Sequence, residues 1–278
     1  MRPPVTITGA HGRIELDVAR PAGDGPYPVV LIVHEGLGVT PHLHALVGRF
    51  AAAGYLAVAP NLYTRDPVRR SFDPEAVIRF APLAQAAERE AAIAALPSGE
   101  RATARQVATW FADRNLSSAI PDLLETLTWI AGQPDASIDQ VAAIGFSQGG
   151  AQVAQLALAG AALAAGVIFY GTLPTPEQAS RLRIPLHGHF ASDDPQVNQR
   201  IAPFSAAAKA AGFGFTHVIH AGTAHGFFNE SRPSYAPEAS QQAWVATLAF
   251  LARVLPAHPV AIGSLVPPAP IRQPSNIR

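Results

Sequence analysis

The 278-residue sequence contains no cysteine, which excludes disulfide bonds, thiolate metal sites and a cysteine nucleophile. It also lacks a net charge, because 20 lysines and arginines balance 20 aspartates and glutamates. No net field therefore draws the chain to nucleic acid or anionic lipid, and we expect a small ligand that is neutral or modestly charged. No uncharged apolar run reaches the roughly 20 residues that a membrane-spanning helix needs.

The first ten residues also lack the apolar stretch of a secretory signal, so we expect a cytoplasmic protein. What the chain does have is apolar residues, at 49% against 14% charged. This balance favours a compact core, because burial of apolar surface offsets the loss of chain entropy. We expect a monomer or homodimer.

Apolar runs, together with the residues that begin or end helices and strands, predict alternating strands and helices. Residues 14–18 alternate apolar and polar side chains, and a turn-like segment separates them from residues 5–8, so these two segments predict antiparallel edge strands. Residues 29–33 form a continuous aliphatic run, typical of a strand covered on both faces. Further strands are predicted at residues 55–59, 141–144, 166–170, 185–190 and 215–220.

Predicted helices separate these strands. They lie at residues 41–53, 121–131, 149–159 and 237–254. Thr40 and Pro41 supply a cap and a first helical residue, and Gly54 closes that helix. The strand, helix, strand order predicts an α/β fold with a mostly parallel central sheet and helices on both faces.

The domain organisation predicted from this pattern is one domain over residues 1–255, since three-layer α/β enzymes reach this size around a single core. Residues 64–118 interrupt the alternation with helical segments at 82–96 and 99–112, which we interpret as a cap-like insertion long enough to cover an active site. Residues 256–278 form a proline-rich extension that is either an extended surface tail or a disordered linker.

The strongest motif is the G-x-S-x-G pentapeptide of residues 145–149, directly between a predicted strand and a predicted helix. A serine on such a tight turn has a strained backbone and needs small neighbours, which Gly145, Gly149 and Gly150 provide. The turn aims the Ser147 hydroxyl out of the sheet and places the Gln148 amide at a helix N-terminus, where it can stabilise an oxyanion. The alternative is an ordinary glycine-rich connection.

A serine hydroxyl needs a base, and that base needs a carboxylate to fix its tautomer. His225 follows the predicted strand at 215–220, and Asp193 and Asp194 follow the one at 185–190. The carboxyl ends of parallel strands converge at one edge, so these residues can meet Ser147. The alternatives are a loop histidine at 225 and a turn-forming Asp194 before Pro195.

Glu35 and Gly36 lie at the carboxyl end of the strand at residues 29–33, the edge where ligands bind. The Gly36 amide is a natural second oxyanion donor. Glu35 is either a functional carboxylate or a buried one that pairs with an arginine for structural reasons.

Ten histidines raise the possibility of a metal site, chiefly at His42 with His44 and at His187 with His189. Ligands on one helix should lie three or four residues apart, and the strand pair lacks an identifiable third ligand. We therefore expect no metal, and the chemistry proposed for Ser147 requires no cofactor.

Several motifs together resemble the dienelactone hydrolase family up to about Leu255. They are His34-Glu35-Gly36-Leu37-Gly38, Ala53-Gly54-Tyr55, Ala59-Pro60-Asn61-Leu62-Tyr63, the glycine-rich turn at 145–150, His189-Phe190, Asp194-Pro195 and Ala224-His225-Gly226-Phe227. Together they are far more specific than any one alone.

The resemblance implies an α/β-hydrolase fold with a triad at Ser147, Asp194 and His225. It implies Asp194 instead of Asp193, because the family aspartate directly precedes a proline. It further implies that the Gly36 and Gln148 amides form an oxyanion hole and that Glu35 contacts the nucleophile.

This chain departs from the founding members in two respects. They use cysteine where Ser147 stands, so activation here must rest on His225 as a true base. They also hold the substrate carboxylate with an arginine shortly after the catalytic histidine, where this chain has Phe228 and Asn229. Replacement cations are available in the insertion, at Arg65, Arg69, Arg70 and Arg79.

We therefore expect a serine hydrolase that cleaves carboxylic esters or lactones through an acyl-enzyme, with broad activity on short acyl esters. A neutral ester fits better than a carboxylated dienelactone. The alternatives are lactone-specific, carbon-carbon or peroxyacid-forming chemistry on the same fold, or a catalytically silent binding protein.

Overall fold

The computed structural model describes residues 3–255, and the predicted proline-rich extension of residues 256–278 lies outside the described residues. One eight-stranded sheet organises the described part. Its strands are β1 (Val5–Gly9), β2 (Gly12–Ala19), β3 (Tyr27–Val33), β4 (Leu56–Asn61), β5 (Ala136–Phe146), β6 (Ala165–Phe169), β7 (Leu186–Asp193) and β8 (Phe215–Ala224).

The strand order is β1-β2-β4-β3-β5-β6-β7-β8. The pairs β1–β2 and β2–β4 are antiparallel, and every other pair is parallel. The predicted fold class, a mostly parallel sheet with antiparallel N-terminal strands at one edge, is confirmed. Because β3, β5, β6, β7 and β8 are parallel neighbours, their carboxyl ends lie side by side along one edge of the sheet.

Helices cover both faces of this sheet. They are α1 (Pro41–Ala52), α2 (Pro67–Arg70), α3 (Pro74–Phe80), α4 (Arg89–Ala94), α5 (Arg101–Asp113), α6 (Ile120–Ala131), α7 (Gln148–Ala159), α8 (Pro176–Ala179), α9 (Pro195–Asn198), α10 (Ile201–Ala210) and α11 (Pro237–Val254). Helices α1 and α11 pack into one apolar core, and α6, α7 and α10 pack into the core on the opposite face. No helix within residues 3–255 is both long and apolar enough to cross a bilayer.

The segment between β4 and α6 carries α2 to α5 and two 3-10 helices, Ala81–Gln85 and Leu116–Ala119. The prediction of one helical segment at 82–96 was wrong, because the extended backbone of Ala86 separates a 3-10 helix from α4. Helices α2 and α3 were not predicted, although Asp66-Pro67 and Asp73-Pro74 supply an N-cap and a first helical proline for each. The segment has a small apolar core of its own.

Several strands extend further than predicted, and the extensions of β7 and β8 bear on the site. Strand β7 continues through Asp193, so Asp194 is the first residue after it. Strand β8 continues through Ala224 and not only to residue 220, so His225 follows it directly. Both residues therefore leave the sheet at the edge where Ser147 follows β5.

Candidate active site

Ser147 lies on the turn between β5 and α7 with φ 53° and ψ −115°, a left-handed backbone that a serine rarely adopts. Its amide donates to the Phe169 carbonyl of β6 at 2.9 Å. A Cβ atom at Gly145 would lie 2.1 Å from the Gly149 carbonyl oxygen, and one at Gly149 would lie 2.3 Å from that of Val33. Only glycine at these positions allows β5 and α7 to approach so closely. This close packing holds Ser147 in its strained backbone conformation.

The three residues singled out from the sequence lie in hydrogen-bond contact. The Ser147 hydroxyl lies 2.8 Å from Nε2 of His225, and Nδ1 of His225 lies 2.6 Å from a carboxylate oxygen of Asp194. The carboxylate accepts a proton from Nδ1, which leaves Nε2 free to accept the serine proton. Asp193 is exposed at the end of β7, so the structure places Asp194 and not Asp193 beside the imidazole.

The His225 backbone is fixed from the loop that follows it. The Ser234 hydroxyl donates to the His225 carbonyl at 2.8 Å. The ring of Tyr170 packs edge-on against the imidazole with centroids 5.1 Å apart. Tyr170 is buried directly after β6, and burial raises the pKa of its phenol well above the usual value. The imidazole therefore packs against a buried aromatic ring on one side.

Glu35 is buried at the end of β3 and bonds to the loop that follows His225. Its carboxylate forms an ion pair with Arg232 at 2.8 Å and accepts a hydrogen bond from the Asn229 side chain. Within residues 3–255 no hydrogen bond joins Glu35 to Ser147, and the Glu35 carboxylate bonds to Asn229 and Arg232. The ion pair with Arg232 favours the interpretation of Glu35 as a buried carboxylate with a structural role.

The same loop has a second anchor on helix α1. Glu230 accepts a hydrogen bond from Nδ1 of His42, which is buried against Phe228. Burial of Glu230 raises the pKa of its carboxyl, but the hydrogen bond and charge of His42, with a smaller contribution from Arg49 of α1, outweigh this effect and lower the pKa. The segment of residues 229–232 is thus tied to strand β3 on one side and to α1 on the other.

Gly36 and Gln148, the two predicted oxyanion donors, approach each other at the same sheet edge. Gly36 lies in a turn closed by a hydrogen bond from the Gly38 amide to the Glu35 carbonyl at 3.0 Å, and Gly38 has a φ of 79°. Gln148 is the first residue of α7, where the helix dipole is positive. A Cβ atom at Gly36 would lie 3.7 Å from the Gln148 side-chain oxygen. Gly36 therefore lies close to the side chain of Gln148, the residue that directly follows Ser147.

His34 connects this turn to the end of β4. Its Nε2 accepts a hydrogen bond from the Leu62 amide at 3.1 Å, and its Nδ1 lies 2.7 Å from the Glu35 carbonyl oxygen. Complete burial lowers the pKa of His34 to about 4, against an ordinary value of 6.5. The ring is therefore neutral at pH 7 and acts as a structural bridge.

The four arginines considered as replacement cations have other contacts. Arg65 pairs with Asp122 at 2.7 Å and Arg79 pairs with Glu100 at 2.8 Å. Arg69 is buried and donates to backbone carbonyls of the Gly36 turn, whereas exposed Arg70 donates to the Thr64 carbonyl at 3.2 Å. None of the four lies against His225 or Ser147 through a hydrogen bond within the described residues.

The histidines of both pairs have other polar partners, although the His187 and His189 rings also pack against each other with centroids 4.6 Å apart. His42 contacts Glu230, and His44 contacts Asp17 at 2.5 Å. On β7, His187 contacts Thr216 at 2.7 Å, and His189 contacts His220 at 3.2 Å. Across residues 3–255 there is no group of three or more histidine, aspartate or glutamate side chains arranged to hold a metal ion.

A cavity of about 1210 Å³ lies between the insertion and helix α7. Its wall includes Tyr63, Trp110, Arg114 and Gln148, and it does not include the side chain of Ser147. A hydrogen bond of 2.7 Å from the Gln148 side-chain amide to the Tyr63 hydroxyl lies at its boundary. A group bound in this cavity would contact the same two side chains that lie next to Gly36.

Arg232 and Tyr63 have no role assigned from the sequence, and Arg69 is considered there only as a cation for a substrate carboxylate. A glutamate predicted to be buried at a strand end requires a cation as its partner, but the sequence does not identify which arginine is that partner. Tyr63 belongs to one of the family-like motifs, yet nothing in that motif indicates a contact with Gly36. The contact of Arg232 with Glu35 depends on the path of the loop after His225. The contact of Tyr63 with Gly36 depends on the path of the chain after β4.

The sequence model of the Dienelactone hydrolase family matches residues 14–255. A carboxymethylenebutenolidase from Pseudomonas sp. strain P51 is 28% identical over 247 residues, which cover 88% of this chain and 92% of that protein. A provisionally named carboxymethylenebutenolidase from Saccharolobus solfataricus is 25% identical over 251 residues, covering 83% of this chain and 91% of that protein.

Among solved structures, a provisionally named dienelactone hydrolase from Klebsiella pneumoniae superimposes with a TM-score of 0.70 at 24% identity. The superposition covers 90% of this chain and 97% of that chain. At this identity the likeness shows a shared fold, and the fold is that of α/β-hydrolases.

Proposed function

The chain belongs to the dienelactone hydrolase family, and from this premise we propose that it hydrolyses carboxylic esters or lactones with Ser147 as nucleophile. The observation that carries the proposal is the continuous contact from Ser147 through His225 to Asp194, at 2.8 and 2.6 Å. The strained backbone of Ser147 supports it, since strain of this kind persists only where the surrounding structure imposes it.

In the first half of the proposed reaction, the Ser147 oxygen attacks the ester carbonyl while Nε2 of His225 takes the hydroxyl proton. Asp194 stabilises the imidazolium that forms. The Gly36 and Gln148 amides donate to the oxyanion of the tetrahedral intermediate. The imidazolium then protonates the leaving alcohol, and an acyl group remains on Ser147.

In the second half, His225 removes a proton from water, and the resulting hydroxide attacks the acyl carbonyl. The same two amides stabilise the second oxyanion. The proton returns to the Ser147 oxygen as the acid leaves. This cycle uses only side chains and amides of the chain, and no step requires a charged group besides the imidazole and its carboxylate.

A neutral short-chain ester is the substrate class that the charges around the site favour. Arg232, the arginine nearest His225 in the following loop, is engaged by Glu35 at 2.8 Å. Its charge is already compensated, so a carboxylate on the substrate gains little from it. Lactone hydrolysis is the second candidate, because the Pseudomonas relative carries the name carboxymethylenebutenolidase.

We further infer that residues 1–255 form one catalytic unit in which residues 64–118 are an insertion over the sheet edge. Leu37 of the turn beside Ser147 packs into the apolar core of this segment, which supports the idea that the insertion forms part of the site. The reaction would then depend on the insertion as well as on the sheet.

The test is turnover of nitrophenyl acetate and butyrate, a simple γ-lactone and a dienelactone by the wild-type protein and by Ser147→Ala. We expect ester hydrolysis with a burst of nitrophenol in the wild type and a loss of at least about 1,000-fold in the variant. Saturable binding of the esters without alcohol release would identify a binding protein. Equal turnover by wild type and Ser147→Ala would reject Ser147.

A further inference from the structure

The turn that carries Gly36 packs against the insertion as well as the sheet. The side chain of Leu37 is buried in the insertion's apolar core, together with Val77, Val107 and Phe111. A Cβ atom at Gly36 would lie only 2.8 Å from the Phe111 ring. The insertion therefore meets the backbone of this turn directly.

Arg69, on helix α2 of the insertion, donates to the carbonyl groups of this turn. Its Nη2 lies 2.6 Å from the Leu37 carbonyl oxygen and 3.3 Å from that of Gly36. Arg69 as a whole residue is only 6% exposed, and its guanidinium carbon lies 4.9 Å from the centre of the Tyr63 ring. A buried guanidinium group that donates to two backbone carbonyls restrains the orientation of both.

Tyr63 connects the two residues whose amides are proposed to bind the oxyanion. Its hydroxyl donates to the Gly36 carbonyl at 3.3 Å and accepts from the Gln148 side-chain amide at 2.7 Å. The Gln148 side-chain oxygen in turn accepts from Nε of Arg114 at 3.1 Å. Burial raises the pKa of Tyr63 to about 12, so its hydroxyl remains a donor throughout the neutral range.

An oxyanion hole is effective only when its donors are held before the reaction, because donors that must reorient lose much of their effect. Gly36 and Gly38 give this turn unusual backbone freedom, and Gly38 has a positive φ. The turn's own hydrogen bond, from Gly38 to Glu35, closes one side of it. The contacts from Arg69 and Tyr63 restrain the other side.

We propose that Tyr63 and Arg69 are positioning residues. They hold the Gly36 and Gln148 backbone amides where both can donate hydrogen bonds to the oxyanion. The inference rests on the proposed ester hydrolysis. It gives the insertion a part in catalysis through Arg69 of helix α2, whereas Tyr63 directly precedes the insertion. Neither side chain touches Ser147 through a hydrogen bond among the described residues, so both would act through the Gly36 turn and Gln148.

The experiment compares Tyr63→Phe, Arg69→Met and Arg69→Lys with wild type, using one nitrophenyl ester and steady-state kinetics. Loss of donor placement lowers the transition-state interaction more than ground-state binding, so we expect kcat to fall about 10-fold with KM changed less than about 2-fold. Arg69→Lys should recover part of kcat, because an ammonium group can still donate to the Leu37 carbonyl. Arg70→Met is the matched control, since Arg70 lies on the same helix and also donates to a backbone carbonyl.

Melting temperatures of the variants show whether a loss of kcat comes from a loss of folding or from misplaced donors in a folded protein. Tyr63→Phe removes one oxygen and leaves the ring packing, so it keeps the test informative if Arg69→Met does not fold. An unchanged kcat in folded Tyr63→Phe overturns the proposal, as does an unchanged kcat in folded Arg69→Met, an equal loss in Arg70→Met or a change confined to KM. A wild-type protein without ester hydrolysis, or a fully active Ser147→Ala, overturns the proposed function itself and is distinguished by those two controls.

Discussion

Glu35 and Arg232 form an ion pair of 2.8 Å that ties the end of strand β3 to the loop carrying the His225 imidazole. The two residues are 197 positions apart in the chain. Glu35 is buried and Arg232 mostly so, with side-chain exposures of 7% and 24%. The pair therefore fixes the distance between the two sides of the site, the Gly36 turn on one strand end and the base on another.

Replacement of Glu35 by Gln should destabilise the fold and weaken catalysis together. Removing one partner leaves the Arg232 guanidinium partly buried without its counter-charge, which costs about 2 to 4 kcal/mol after allowance for its partial exposure. We expect kcat to fall about 10-fold as the loop after His225 loosens. Urea unfolding and ester kinetics measure the two effects.

The control for this pair is Glu90→Gln, which breaks an exposed ion pair with Arg105 of 3.0 Å. Exposed pairs contribute only about 0 to 1 kcal/mol, so this variant should retain stability and activity. A Glu35→Gln protein with wild-type kcat and stability would show that the pair has no anchoring role.

Asp194→Asn should retain folding but lose catalysis. The amide can no longer fix the imidazole tautomer or stabilise the imidazolium, so we expect kcat to fall by about 1,000-fold or more. Asp193→Asn is the matched control, because Asp193 is exposed and adjacent in sequence. Similar losses in both variants, or a loss in Asp193→Asn alone, would contradict the assignment of Asp194.

Gly149→Ala should disrupt the turn that carries Ser147. The added methyl group would lie 2.3 Å from the Val33 carbonyl oxygen, and backbone atoms cannot move aside as a flexible side chain can. We expect a destabilisation of about 3 kcal/mol or failure to fold. Gly132→Ala makes only ordinary contact, at 3.5 Å from the Trp129 carbonyl oxygen, and should be tolerated. Circular dichroism melts of the two variants make the comparison.

Stability should fall on mild acidification because two buried histidines are neutral in the fold. Burial lowers the pKa values of His34 and His187 to about 4, whereas an unfolded chain has the ordinary value of 6.5. Protonation therefore favours the unfolded state as the pH falls from 6.5 towards 4, and stability is fully present only above that window. Each histidine should account for a loss of about 2 kcal/mol at pH 5.

The measurement is urea unfolding at pH 7.5 and pH 5 for wild type, His187→Gln and the exposed-site control His11→Gln. The acid-dependent loss should shrink in His187→Gln and stay unchanged in His11→Gln. Equal pH dependence in all three proteins would show that His187 does not contribute.

The sequence was sufficient to predict the parallel sheet and to propose Ser147, Asp194 and His225, because each of these residues directly follows a strand. Parallel pairing brings such positions to one edge whatever the loops do in between. The exact ends of β7 and β8 were missed by a few residues, since apolar patterning fades where a strand reaches solvent.

The parts that sequence did not predict depend on how irregular segments fold back on the sheet. Arg232 reaches Glu35 only because of the path taken by the loop after His225. Arg69 reaches Gly36 only because of the orientation of α2, a four-residue helix whose direction no periodic pattern determines. Tyr63 reaches Gly36 from the irregular segment between β4 and α2. The local sequence pattern is thus enough to propose the reacting residues. The residues that hold them in place can be identified only from tertiary packing.

The most direct test of the central claim is covalent labelling with a fluorophosphonate, followed by peptide mass spectrometry. Attack by an activated serine should place the phosphonyl group on Ser147, with labelling and ester hydrolysis lost in parallel, and His225→Ala should slow both. A fully inhibited enzyme with the adduct on any other residue would contradict the account.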